Sequence, residues 1–313
     1  MHRALVLVSV LILGCATPPY PRGIQEALKW GPEDILEKAV VGPLGEGTYV
    51  VATTQLVTPA GDSVFFEGRP VSLALSPDET LVVVKNMDDL VWIDVGTGSI
   101  RQTLRMPDEG NSFCGVAWSQ DGKTVWTTSS TKLLCIASLR EDGKFAWEQP
   151  IDLPGPKGND NSVPGGLAVD ELKGVAYVAM SRNNAIGVVD LISKKVLKQV
   201  QVGIAPYDLL RHGDKLYVTN WGGRRPRAGD LTGPTSGSLA VIDEAGIAST
   251  GTVSVVDLIS QECVAEIEVE LHPSGMALDP DGTRLYVANA NSDTLSAVSY
   301  THLTLPTNRE VEI

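Results

Sequence analysis

At 313 residues, 43% of them hydrophobic, the chain can hold one large domain or two ordinary ones around a packed core, which excludes a disordered polymer. Thirty-one glycines and nineteen prolines suit many short strands and turns better than long helices. A formal net charge of −13 argues against a nucleic-acid partner and against broad adhesion to anionic lipid, because both need a basic face.

The chain opens with the short basic leader Met1-His2-Arg3, followed by small and aliphatic residues over 4–13 with Ser9 as the one polar member. That run is too short to span a bilayer and predicts a signal-peptide core. It ends in Ile12-Leu13-Gly14-Cys15, which resembles the lipobox of bacterial lipoproteins. The resemblance implies that the Cys15 thiol is lipidated and becomes the N-terminus, anchoring the protein to a membrane outside the cytoplasm, in the periplasm or at the cell surface. Ordinary cleavage near Ala16, releasing a soluble protein, is the alternative. Residues 16–46 predict a tether with short helical stretches around 25–30 and 33–38, which Pro32 keeps from joining. Strands are predicted at 48–51 and 64–66, around Pro59-Ala60-Gly61.

From residue 70 one pattern recurs. Pro70-Val-Ser-Leu-Ala-Leu-Ser-Pro-Asp78, Phe113-Cys-Gly-Val-Ala-Trp-Ser-Gln-Asp-Gly122, Pro164-Gly-Gly-Leu-Ala-Val-Asp170, Pro206-Tyr-Asp-Leu-Leu210 and Pro273-Ser-Gly-Met-Ala-Leu-Asp-Pro-Asp-Gly282 each read as an apolar strand running into a turn. Second strands follow at 80–85, 124–128, 174–180, 215–220 and 284–289. Third strands end on an aliphatic-aliphatic-Asp step at Asp94, Asp190 and Asp257, and alternating fourth strands return at 100–104 and 264–269. Four antiparallel strands repeating about every forty residues predict an all-β fold, a β-propeller with about five blades present. Leu73, Val116, Leu167, Leu209 and Met276 occupy one register position at intervals of 43, 51, 42 and 67 residues. The last interval exceeds its predecessor by 25 residues, which places an insertion at about 221–250.

Leu216-Tyr-Val-Thr-Asn220 and Leu285-Tyr-Val-Ala-Asn289, with their Val-Val-Asp steps, resemble the YVTN family of β-propeller repeats over about 65–298. The stretch from Tyr217 through Trp221-Gly-Gly-Arg-Arg-Pro-Arg227 to Asp230, with Leu271-His-Pro-Ser-Gly275, resembles the propeller half of bacterial proteins that join such a propeller to a phosphoesterase domain of the alkaline-phosphatase superfamily. The resemblance implies a parent protein whose C-terminal domain carries the metals and the nucleophile; no segment here corresponds to it. A stand-alone propeller binding a surface protein or a glycan, without enzyme activity, is the alternative. Val298-Ser-Tyr-Thr-His-Leu-Thr-Leu-Pro-Thr307 breaks the repeat and resembles a translated sequencing adapter, so 47–297 is taken as an incomplete propeller and 298–313 as a non-native tail in which His302 has no role.

Among candidate residues, Trp221, Arg224, Arg225 and Arg227 open the insertion. Guanidinium forks suit carboxylate or phosphate, so this cluster predicts contact with an anionic ligand or a following domain, or else pairing with Asp230 over a packed Trp221. His272 precedes a first strand, where propellers commonly place functional side chains. The spacing of Cys114, Cys135 and Cys263 supports neither zinc nor c-type haem; Cys114 and Cys135 are either a disulfide or small buried apolar groups. Asn159, Asp160 and Asn161 form a polar loop without EF-hand spacing. Aspartates at the strand ends predict turn caps rather than acid–base pairs. No catalytic residue, cofactor or metal is assigned to this chain.

Overall fold

The computed structural model describes residues 41–299 except 46–47, 52–54, 109, 158–159 and 236. The leader with Cys15, both helical stretches of the tether, Asn159, and everything beyond 299 including His302 lie outside the described residues. The described residues divide into two compact units between Phe65 and Phe66.

In the first unit, Gly42–Gly45, Thr48–Val50 and Leu56–Val57 form a three-stranded antiparallel sheet in that order. Two sequence expectations are corrected here. Gly42–Gly45, assigned to the tether, is a strand, whereas 64–66 is not. That apolar stretch makes no ladder; Phe65 instead turns its ring onto Tyr49, with centroids 5.5 Å apart.

The second unit holds five antiparallel sheets in chain order, together with a small hairpin. The first contains Pro70–Leu75, Leu81–Asn86, Asp89–Asp94 and Ile100–Arg105, and the second Asn111–Trp118, Thr124–Ser129 and Leu133–Leu139. The fourth strand of the second sheet is split into Phe145–Trp147 and Ile151–Asp152, because Pro150 between them has no amide hydrogen to donate to the ladder. The third sheet is Pro164–Asp170, Val175–Met180, Ala185–Asp190 and Lys195–Gln201, and the fourth is Pro206–His212, Lys215–Asn220, Gly251–Asp257 and Glu262–Val269. Pro273–Leu278, Arg284–Asn289 and Thr294–Ser299 form the fifth. The predicted insertion supplies the hairpin Thr232–Pro234 and Leu239–Val241.

The strand-end aspartates close the turns. Asp94 accepts the Thr97 amide, Asp190 those of Ile192 and Ser193, and Asp257 those of Ile259 and Ser260. Arg101 and the Thr97 contacts hold the Asp94 carboxyl down at about 2, so these carboxylates are committed to structure.

Each strand alternates between two neighbouring sheets. In the third sheet, Ala176, Val178 and Met180 pack with Trp126, Leu134 and Ile136 of the second, while Tyr177 and Ala179 pack with Leu209, Leu216 and Val218 of the fourth. The recurring first-strand position faces the preceding sheet. Leu167 and Leu209 are 8% exposed there, whereas Leu73, with no preceding sheet among the described residues of its unit, is 66% exposed. Burying one such leucine contributes about 1.5–3 kcal/mol, so a single sheet cannot hide its second face without a neighbour. Side chains also tie the outer strands: Gln102 both donates to and accepts from the Phe145 backbone, at 2.7 and 2.8 Å, while Trp92 stacks on the Phe145 ring. First strands of consecutive sheets lie against one another, which is the arrangement of an all-β, propeller-like fold.

Candidate functional site

Every first strand begins with a register irregularity, one extra residue in four sheets and three in the second. Pro70, Asn111, Pro164, Pro206 and Pro273 pair with Asn86, Ser129, Met180, Asn220 and Asn289, and the register then slips. A bulge of this kind re-aims the residues that follow it. Val163, Ala205 and His272, each before a proline, have φ of 47°, 53° and 51°, and their carbonyls accept the amides of Ser181, Trp221 and Ala290. Because three sheets share this left-handed start, the conformation of His272 belongs to the architecture and does not by itself mark a site.

The bulges bring polar groups together where first strands meet. Lys85 ends its side chain among five oxygens of the second sheet: Ser112 Oγ at 2.9 Å, Gly115 O at 3.1 Å, Thr128 O at 2.9 Å, Thr128 Oγ1 at 3.1 Å and the Cys114 carbonyl. Thr128 Oγ1 in turn donates to the Gly165 carbonyl of the third sheet at 2.7 Å. Thr219 fills the matching position of the fourth sheet and donates to Ser274 O of the fifth at 3.0 Å. One register position thus joins three neighbouring pairs of sheets, through Lys85, Thr128 and Thr219. Burial without a carboxylate partner pulls the Lys85 pKa down to about 7, while the five acceptors favour its ammonium form. Burial raises the Cys114 thiol well above its ordinary value, and Cys114 Sγ donates to the Tyr207 carbonyl at 3.2 Å.

Asp208 stands where the third and fifth sheets carry Gly166 and Gly275. Burial raises its carboxyl to about 6, opposed only by the Leu209 amide at 2.9 Å. Its folded pKa lies above the unfolded value, so folding favours the protonated acid, and that advantage is lost as pH rises from about 4 through 6. Asp208→Asn keeps an acceptor for Leu209 and removes the charge. It is expected to stabilise the protein by about 1–3 kcal/mol at pH 7.5 and to flatten the stability profile between pH 4 and 6. Urea unfolding at several pH values checks this, and an unchanged slope would refute it.

Two residues singled out from the sequence come together. Trp221 stacks on Tyr207, with ring centroids 4.1 Å apart, and on His272, with centroids 5.5 Å apart. The arginines divide. Arg224 forms a two-pronged pair with Asp230, at 2.6 and 2.9 Å. Arg225 donates to Val202 O, Asn184 O and Gln201 Oε1 of the third sheet and its connector. The Arg227 side chain is exposed and donates to no acceptor among the described residues, although its backbone amide donates to Asp230. These arginines overhang a cleft of about 310 Å³ that also takes in Gly203, Ser254, Cys263 and Glu266.

Cys114, Cys135 and Cys263 are free thiols, the first two buried. Asp160 pairs with Lys132 at 3.0 Å. Among the described residues no group of three or more His, Cys, Asp or Glu is placed to hold a metal ion. Sequence reasoning passed over Lys85, Tyr207 and Asp208. The one available signal was the departure of Asp208 from the glycine at its register position.

The chain matches no protein-family model and no curated protein. Solved structures do resemble it. Hydrazine synthase from Kuenenia stuttgartiensis superposes with a TM-score of 0.50 at 14% identity, over 78% of this chain and 80% of that one. A functionally unknown protein from Desulfotomaculum acetoxidans gives 0.56 at 15% identity, over 75% and 70%. At such identities the likeness shows the all-β propeller-like fold and nothing of the chemistry.

Proposed function

We propose that this chain is a binding and scaffolding module of the YVTN propeller kind, anchored outside the cytoplasm through a lipid on Cys15, and that its parent protein carries a C-terminal metal-dependent phosphoesterase domain. The observation that supports a module rather than an enzyme is how the buried polar groups are used. Lys85, Thr128, Thr219 and Cys114 spend their hydrogen bonds joining sheets. The insertion at 221–250, with the Tyr207–Trp221–His272 stack at its base, is then the docking surface for a following domain, a surface protein or a glycan.

Anchoring is tested by expressing the chain and its Cys15→Ser variant in a bacterium fed an alkynyl fatty acid. The unmutated chain should carry the label and sediment with membranes, and the variant should lose the label. Unlabelled wild-type protein in the soluble fraction would overturn the anchor. Reading the uninterrupted gene beyond codon 297 tests the parent: a downstream hydrolase domain supports it, and a stop soon after the last repeat replaces it with a stand-alone binding propeller.

A further inference from the structure

We infer that the cleft between the third and fourth sheets is a binding site for a compact oxyanion, a phosphoryl or carboxylate group carried on a small ligand. The inference stands apart from the anchoring and parent-domain reading, since the cleft is built wholly from this chain. Its roof is Arg225 and Arg227. Three N–H donors of Arg225 are engaged, all by neutral oxygens, so its charge is uncompensated and its Nη1 hydrogens meet no acceptor among the described residues. Those same bonds fix the guanidinium against the third sheet, which removes much of the ordering cost that a free arginine would incur on binding. All the side-chain donors of Arg227 are open in the same sense.

The floor is polar and already ordered. Ser254 is fully buried, and its hydroxyl accepts the Gly203 amide at 3.2 Å and Asn220 Nδ2 at 2.9 Å. Of the acids nearby, Asp230 forms a two-pronged pair with Arg224, Glu266 Oε1 accepts the Thr252 hydroxyl at 3.0 Å, and Glu268 acts on Arg224 from further off. Glu266 and Glu268 both lie close enough to act on Arg224, and Asp230 acts with Arg224 and Arg227, so what suits the cleft to an anion is its open guanidinium donors rather than an excess of positive charge. A planar fork and a second free guanidinium match an oxyanion that accepts two or more charge-assisted bonds. The volume falls at the small end of ligand pockets.

Cys263 lines the cleft and is the one exposed thiol among the described cysteines, so it reports occupancy. The test is the rate of Cys263 alkylation by iodoacetamide, followed by peptide mass spectrometry, with sodium phosphate or sodium acetate replacing chloride at constant ionic strength. A bound oxyanion present at about twice its Kd should slow alkylation about threefold. Arg227→Gln should remove most of that protection while leaving the melting temperature unchanged, because its side chain holds no part of the fold. Protection by phosphate alone assigns a phosphoryl ligand, and equal protection by acetate assigns a carboxylate. Unchanged alkylation with both anions at tens of millimolar, or equal protection in Arg227→Gln, would overturn the site.

Discussion

Gly165→Ala is expected to cost more than about 4 kcal/mol and to leave little folded protein, an effect at the extreme of single substitutions. Gly165 lies in the bulge of the third sheet, against the fourth. A methyl group there would run into the Tyr207 carbonyl, which is backbone and cannot swing aside. The third sheet cannot retreat either: Thr128 holds the Gly165 carbonyl at 2.7 Å, and Gly115, at φ 81°, packs against that same carbonyl from the second sheet. Three first strands are therefore in backbone contact, and the added volume must separate them. Gly143→Ala is the control. Gly143 has φ 77° and open space around it, so alanine there should cost about 1 kcal/mol of backbone strain alone. Urea unfolding of both variants decides the matter. Equal costs would mean that the first strands do not meet as described.

Lys85→Ala should be nearly as damaging, at about 3–5 kcal/mol, because it strands buried oxygens that now share one ammonium group. Lys85→Met keeps the volume and removes the cost of burying a charge, so its penalty should be smaller, about 1–3 kcal/mol. The pH dependence gives the sharper signature. The folded pKa of about 7 lies below the ordinary 10.5, so above pH 7 the unfolded chain binds more protons than the folded one. Stability should then rise from pH 7 towards 8.5 in the parent and not in Lys85→Met. Above about pH 9 the buried Cys135 thiol, raised to about 12, works in the opposite direction, which sets the upper limit of the useful window. A flat profile in the parent would mean that the five acceptors hold the ammonium at its ordinary pKa.

Much of the fold was legible because alternation and turn chemistry are local. Lys215–Asn220 and Arg284–Asn289 match their predicted bounds, since each lies between a turn and a strand with strict side-chain alternation. Gly42–Gly45 was missed because a four-residue strand of glycine, proline and one leucine carries no periodic signal. The apolar 64–66 stretch misled for the converse reason: it has strand composition but no partner strand.

The candidate site was less legible, because its groups meet only across sheets. Trp221 and His272 stack because consecutive sheets start side by side, a fact no local window contains. Lys85 reads as an ordinary polar residue near a strand end until the second sheet closes over it. The pairing of Arg224 with Asp230 was within reach at six residues' separation, but the attachment of Arg225 to the third sheet was not. Asp208 is a turn-like aspartate in sequence and a buried acid in space.

Hydrogen exchange across the third sheet tests the layered arrangement most directly. Amides of Pro164–Asp170, Val175–Met180 and Ala185–Asp190, buried between neighbouring sheets, should exchange only through global unfolding, and those of Lys195–Gln201 at the outer edge much faster. If the Lys195–Gln201 amides instead proved the slowest and those of Pro164–Asp170 the fastest, the first strands would not be gathered at the centre.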